Sequence, residues 1–175
     1  MMQFYKEVFF PYCIKNGITE VIHAGDFMNN RNSVNYLTLR YVQDFLRLFD
    51  EHEILLHAIP GNHDIYYRHD NSINALREVM GHPDSHKFIR LYETVTDVKI
   101  DAFSFDIQAS KAKLCVGHLE LSGFKMYKNS VNKGGMSTEL FKHFDLTLSG
   151  HFHHSSTVGK IRYLGSVFYL TWQDF

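Results

Sequence analysis

Four short segments place metal-binding or proton-moving residues directly after a glycine: Gly25-Asp26, Gly61-Asn62-His63-Asp64, Gly117-His118 and Gly150-His151-Phe152-His153. Carboxylate, amide and imidazole donors without cysteine suit borderline divalent ions such as Mn2+, Fe2+ or Zn2+, rather than a structural zinc. A carboxylate has two oxygens, so Asp26 is the candidate to bridge two ions. The neutral amide oxygen of Asn62 leaves an ion more Lewis acidic. His151 and His153 lie two apart; on an extended strand both point the same way and reach neighbouring ions. Two ions about 3.5–4 Å apart clamp a phosphate and hold a hydroxide for in-line attack.

The elements that must position these residues are legible as periodicity. Each segment follows an apolar run that reads as a strand: residues 18–24, 54–59, 114–117 and 146–150. Residues 2–16 read as a helix, with Phe4, Val8, Phe9, Tyr12 and Cys13 at helical spacing and Gly17 as its C-cap. Ser33 is placed to cap a long amphipathic helix running to His52. Tyr36, Leu37, Tyr41, Phe45, Leu46 and Phe49 share one face of it and read as core. Residues 71–80 read as a shorter helix stopped by Gly81 and Pro83, residues 88–105 as short strands, and residues 138–143 as a short helix. Residues 157–172 alternate like a terminal hairpin, and Gly134-Gly135 marks a flexible loop. This order predicts an α/β fold, a mostly central sheet covered by helices. Ligands bind such sheets beyond the carboxyl ends of the strands, where Asp26, Asn62, His118 and His151 all fall.

Composition bounds the rest. The 175 residues fit one domain with a real core; 45% are apolar and 21% charged. A net charge of −1 gives no bulk support for nucleic-acid binding. Lys125, Lys128 and Lys133, near the glycine pair, read first as a solvated face and second as a DNA-backbone contact. Cys13 and Cys115 lie in apolar runs without metal-type spacing and read as buried thiols. No stretch is long and apolar enough to cross a membrane. Of the twelve histidines, His23 reads as a sheet residue packed under the site and His154 as solvent-facing. His52, His57, His69, His82, His86 and His143 show no partner pattern.

The GD, GNHD, GH and GHFH blocks, in this order, resemble the calcineurin-like metallophosphoesterases. The flanking stretches GDFMNNR, GNHDIYY, CVGHLELSGFKMYK, LSGHFHH and IRYLGSVFYLTW narrow the resemblance to the nuclease subunit of SbcCD-type recombination and repair complexes, in the version of large tailed phages. That resemblance implies a metallophosphoesterase-type sandwich of mixed sheets flanked by helices, and two divalent ions, Mn2+ first. Asp26 would bridge both ions; Asn62, His118 and His151 would complete the second, and His153 would bind the first. His63 would stabilise the phosphate or protonate the leaving oxygen, with Asp64 orienting and charging it. Asn29 and Arg31 match positions near the site without an assigned role. The implied substrate is DNA, and the implied partners are an ABC-type ATPase subunit and a second copy of the chain. The implied location is the cytoplasm, that of the bacterial host for a phage protein.

The same family opens with a short strand ending in Asp-x-His, which binds the first metal. No such block precedes Asp26, so the first site is expected to be incomplete and the domain, residues 1–175, incomplete at both ends. Two other readings stand beside the nuclease. One is a general metallophosphoesterase acting on nucleotides or phosphoproteins. The other is an inactive one-metal fragment with a binding or assembly role.

Overall fold

In the computed structural model, residues 2–67, 70–81, 85–93, 110–127 and 130–168 are described. The chain divides into two compact units, Met1–Tyr92 and Glu93–Phe175.

The first unit begins with one helical run in three parts: α1 (Met2–Phe4), a π-helical turn (Tyr5–Phe9) and α2 (Phe10–Lys15). The wide turn adds a residue and rotates the register. The buried face is therefore Phe10 and Cys13, flanked by Met2, Tyr5 and Phe9, while Val8 and Tyr12 of the expected stripe are exposed. Gly17 ends the run as expected. It takes φ 64°, the Ile18 amide donates to the Cys13 carbonyl at 2.9 Å, and the Gly17 amide donates to the Ile14 carbonyl at 3.1 Å. That crossed pair satisfies carbonyls the helix leaves over.

Helix α3 (Tyr36–His52) is capped by Asn35, whose side chain accepts from the Thr38 amide at 2.9 Å. Ser33, the expected cap, lies outside the helix. Only the second half of the apolar stripe is core: Phe45, Leu46 and Phe49 are buried, whereas Tyr36 is 90% and Leu37 59% exposed. Helix α3 links β1 (Glu20–His23) to β2 (Leu55–Ala58), the long crossover a parallel pair requires. With β5 (Ile89–Leu91) they form a parallel sheet in the order β1-β2-β5. The central strand buries Leu56, His57 and Ala58. The edge strand β1 alternates between exposed and half-buried, where the sequence predicts a buried strand.

The predicted helix over 71–80 is half strand. Strands β3 (Ile65–Tyr67) and β4 (Asp70–Asn74) pair antiparallel, and only Ala75–Met80 is helical, as α4. Buried Asn74 decides the boundary, because its side chain accepts from the Arg77 amide at 2.9 Å and starts the helix there. Gly81 ends α4 with φ 68°; Pro83 lies outside the described residues. So does most of the segment 88–105 beyond β5.

In the second unit, β10 (Ser156–Val158), β11 (Ile161–Tyr163), β9 (Leu146–Ser149) and β6 (Leu114–Gly117) form a four-stranded sheet in that order. Strands β6, β9 and β11 run parallel, and β10 returns antiparallel to β11. Among the described residues the hairpin is β10 with β11, at the start of the expected 157–172 pattern. Val167 lies beyond it, and Tyr169 and Trp172 fall outside the described residues. A two-strand ribbon, β7 (Lys125–Tyr127) with β8 (Ser130–Val131), precedes a 3-10 helix at Thr138–Phe141, in place of the helix expected over 138–143. Phe124, Phe141, Phe144, Phe152 and Tyr163 form the core, with Cys115, whose thiol burial pushes up to about 12. Cys13 is buried likewise. Among the described residues no helix is long and apolar enough to cross a membrane.

Replacing Asn35 with Ala should cost about 1 kcal/mol of stability by removing the cap. Ser33→Ala should stay within about 0.5 kcal/mol of the parent. Urea unfolding of both variants followed by circular dichroism checks the assignment.

Candidate active site

In the first unit the candidate site is two loops, one leaving β1 and one leaving β2, with one buried carboxylate at their junction. Asp64 is 1% exposed and accepts from three backbone amides: Met28 at 2.8 Å, Gly61 at 2.8 Å and Phe27 at 3.1 Å. Burial raises its pKa, outweighing the downward pull of those amides, and the charge of Asp26 adds to the rise. With the folded value above the unfolded one, this group favours folding at low pH. That contribution fades as pH rises through the folded value.

Asp26 turns the first loop in the left-handed region, φ 59°, after Gly25 at φ 93°. Asp tolerates that region better than most residues. Its Oδ1 accepts from the His63 amide at 2.9 Å. Gly61 passes so close that a Cβ there would run into the Asp26 side chain and backbone nitrogen. The Arg31 guanidinium donates to the Asn62 carbonyl at 2.6 Å. The His63 Nδ1 lies 2.9 Å from the Asn29 carbonyl. A carbonyl only accepts, so Nδ1 carries the hydrogen, and in the neutral ring Nε2 is left as the basic nitrogen.

Asp64 therefore does not sit where the sequence reading put it. Both its oxygens meet backbone amides, and the carbonyl of Asn29 holds the His63 ring. A charged partner for the imidazole is replaced by a neutral one. The roles of Asn29 and Arg31 were not readable from sequence, because each acts on or through a main-chain carbonyl.

In the second unit, His118 follows β6 and His151 follows β9, and these strands are parallel neighbours with Gly117 opposite Ser149. Adjacent parallel strands bring the two rings together: His151 Nδ1 lies 3.2 Å from His118 Nε2, with ring centroids 5.0 Å apart. Two imidazole nitrogens on one ion, each at about 2.0–2.1 Å, stand about 3.0–3.4 Å apart, so donor type and spacing fit a shared divalent ion. His151 takes φ 76°, strain of the kind that gathers at working sites. Because β9 ends at Ser149 and His151 is left-handed, His151 and His153 do not share an extended strand, and the alternation argument for pairing them fails. His153 is half-buried, and its carbonyl accepts from the Ser166 amide at 3.0 Å.

Behind His118 the chain is fixed by two buried hydroxyls. Tyr163 donates to the Leu119 carbonyl at 2.8 Å and accepts from the Leu121 amide at 3.0 Å; Ser149 accepts from the Leu119 amide at 3.0 Å. Burial pushes the Tyr163 phenol up to about 12, so it stays neutral.

Among the described residues, no three His, Cys, Asp or Glu side chains converge as a ready metal cage. Other histidines settle into structural roles. His57 is buried between the Tyr92 hydroxyl at 2.9 Å and Glu20 at 3.1 Å, and His86 meets Asp50 at 2.6 Å. His23 stacks on Phe27 with centroids 3.6 Å apart, and His154 is half-buried rather than solvent-facing. Lys125 and Lys133 are exposed; Lys128, His69 and His82 lie outside the described residues.

The calcineurin-like phosphoesterase family model matches residues 4–155, a span that runs through both units. The chain belongs to the calcineurin-like phosphoesterase family. Its mixed sheets flanked by helices agree with that family's fold, and the family's enzymes use divalent metal ions. It is also 31% identical over 179 aligned residues to a protein named exonuclease subunit 1, from Enterobacteria phage T4. That alignment covers 93% of the chain and 52% of the phage protein, so the chain spans about half the length of this relative.

Gly61→Ala should displace Asp26 and lower stability by about 1–3 kcal/mol, the range for forcing an extra carbon into a packed site. Asp64→Ala should cost about 1–3 kcal/mol for each amide it leaves buried without an acceptor. Urea midpoints of the two variants, with amide exchange at Met28 and Gly61, give the measurement. Unchanged midpoints would show that the two loops are not tied through Asp64.

Proposed function

We propose that this chain is the metal-dependent catalytic part of a phosphodiesterase that cleaves DNA. The observation that carries the reading is positional: Asp26, Asn62, His118 and His151 each stand just past the carboxyl end of a parallel strand, with Asp26 and His151 in left-handed backbone. Four polar residues at strand ends, two of them held in strained backbone, are the pattern of a working site.

Asp26 and Asn62 in the first unit, and His118, His151 and His153 in the second, are the proposed metal ligands; two divalent ions are the proposed number and Mn2+ the first choice. Bound ions of this kind supply Lewis acidity to a phosphate and to attacking water. The protein's own contribution is orientation and proton handling. Arg31 and Asp26 fix the backbone that carries Asn62 and His63, and His63 presents Nε2 to the leaving oxygen, donating a proton there when the ring is charged. Asp64 belongs to the framework rather than to the proton path. DNA is favoured over nucleotides and phosphoproteins by the likeness to the phage exonuclease subunit, whose name also supports assembly into a larger complex. An ABC-type ATPase subunit is the proposed heterologous partner.

The exposed apolar residues Tyr12 and Ile14 of the first helical run, and Tyr36, Leu37 and Tyr41 of α3, have little packing within the chain. They are the proposed contact with a second copy. Leu37→Glu should shift sedimentation from dimer to monomer without changing the circular dichroism spectrum; a parent that sediments as a monomer at all concentrations removes this surface from consideration.

The deciding experiment is cleavage of linear DNA with Mn2+, compared with small phosphoesters and with the chelated protein. His151→Ala should lower the rate at least 100-fold, and chelation should abolish it. Equal turnover of phosphomonoesters would favour the general phosphoesterase. Mn2+ binding without turnover of any substrate would favour the one-metal binding fragment.

A further inference from the structure

The peptide group between Asn62 and His63 is gripped at both ends. Its carbonyl accepts from the Arg31 guanidinium at 2.6 Å, and its N–H donates to Asp26 Oδ1 at 2.9 Å. A cation thus stands on the oxygen side of one peptide and a carboxylate on its nitrogen side. Charge at the carbonyl end draws electron density through the amide and makes the N–H a stronger donor, so the two bonds strengthen each other. The Arg31 bond is short even for a charge-assisted contact, and the side chain is half-buried, where water screens it less. The same loop supplies the Asn29 carbonyl that holds the His63 ring. Arg31 thus touches the peptide that joins Asn62 to His63 and bonds to Asp26, while the Asn29 carbonyl holds the His63 ring.

We propose that Arg31 is a positioning residue for Asp26, acting through the Asn62–His63 peptide. It fixes which lone pairs of the Asp26 carboxylate are taken by the protein and holds the carboxylate in its left-handed turn. Loss of a residue that orients a metal ligand typically weakens binding 10- to 100-fold. Lysine restores one charged donor but cannot reproduce the planar fork of arginine. A residue that merely held the loop folded would behave differently: its removal would lower the melting temperature and leave ion affinity of the folded protein alone.

The inference rests on the reading of Asp26 as a metal ligand, and the test separates the two. Mn2+ affinity is measured by electron paramagnetic resonance on the folded parent, Arg31→Ala, Arg31→Lys and Asp26→Asn. Amide exchange is read at His63, with Met28 and Gly61 as internal references. The expected result is a 10- to 100-fold weaker Kd for Arg31→Ala and partial recovery for Arg31→Lys. His63 exchange should become at least 10-fold faster in Arg31→Ala, while the Met28 and Gly61 amides, held by Asp64, stay protected. Parent-like Mn2+ affinity in Arg31→Ala alongside weakened binding in Asp26→Asn overturns the inference and leaves the metal reading standing. Parent-like affinity in Asp26→Asn, or no binding by the parent, overturns the metal reading and this inference with it. Equal loss of protection at all three amides assigns Arg31 to general loop stability and overturns its specific action on Asp26.

Discussion

One buried carboxylate sets the geometry of the first unit's site. Asp64 draws three amides from two loops onto its two oxygens, and bonds from Arg31 to Asn62, from His63 to Asp26 and from His63 to Asn29 cross the same gap. The arrangement costs desolvation, which raises the Asp64 pKa, and the bonds from Phe27, Met28 and Gly61 offset only part of that cost. Everything chemical in this unit hangs from that junction. Gly61 must pass against Asp26, the Asn62–His63 peptide must fit between Arg31 and Asp26, and the His63 ring must reach the Asn29 carbonyl.

The second unit solves the same problem by pairing strands. Parallel β6 and β9 end level, so the residues after them emerge side by side, and His118 and His151 meet at 3.2 Å. Tyr163 and Ser149 then fix the chain beyond His118 with neutral hydrogen bonds from a fully buried position. Neutral hydroxyls suit that place: they satisfy the buried Leu119 and Leu121 groups without adding charge beside the imidazoles. Strand ends carry the candidate donors in both units, and Asp26 and His151 sit in strained turns there.

Apolar patterning marks the strands of the two larger sheets and the longer helices, misses the β3–β4 and β7–β8 ribbons, and is a poorer guide to which faces are buried. Helix α3 shows why. Its stripe runs without interruption from Tyr36 to Phe49, yet only the part lying over the sheet is covered. In the first helical run, the π turn moved the buried face off the expected register. In the segment 71–80, Asn74 found a capping bond, and the residues before it joined a hairpin instead.

The sequence by itself determined the strands that matter, the glycine turns after them and the candidate donor residues those turns carry. It did so because strand periodicity, glycine and metal-binding side chains are local properties of consecutive residues. It also carried the family, since ordered blocks survive as text. What only the tertiary structure decided is how those residues are held. Asp64 turned from a partner of His63 into the tie between two loops, Asn29 acted through a carbonyl that every residue possesses, and Arg31 reached a peptide 31 positions away. Such bonds join main-chain groups across loops, and main-chain groups leave no mark in a sequence.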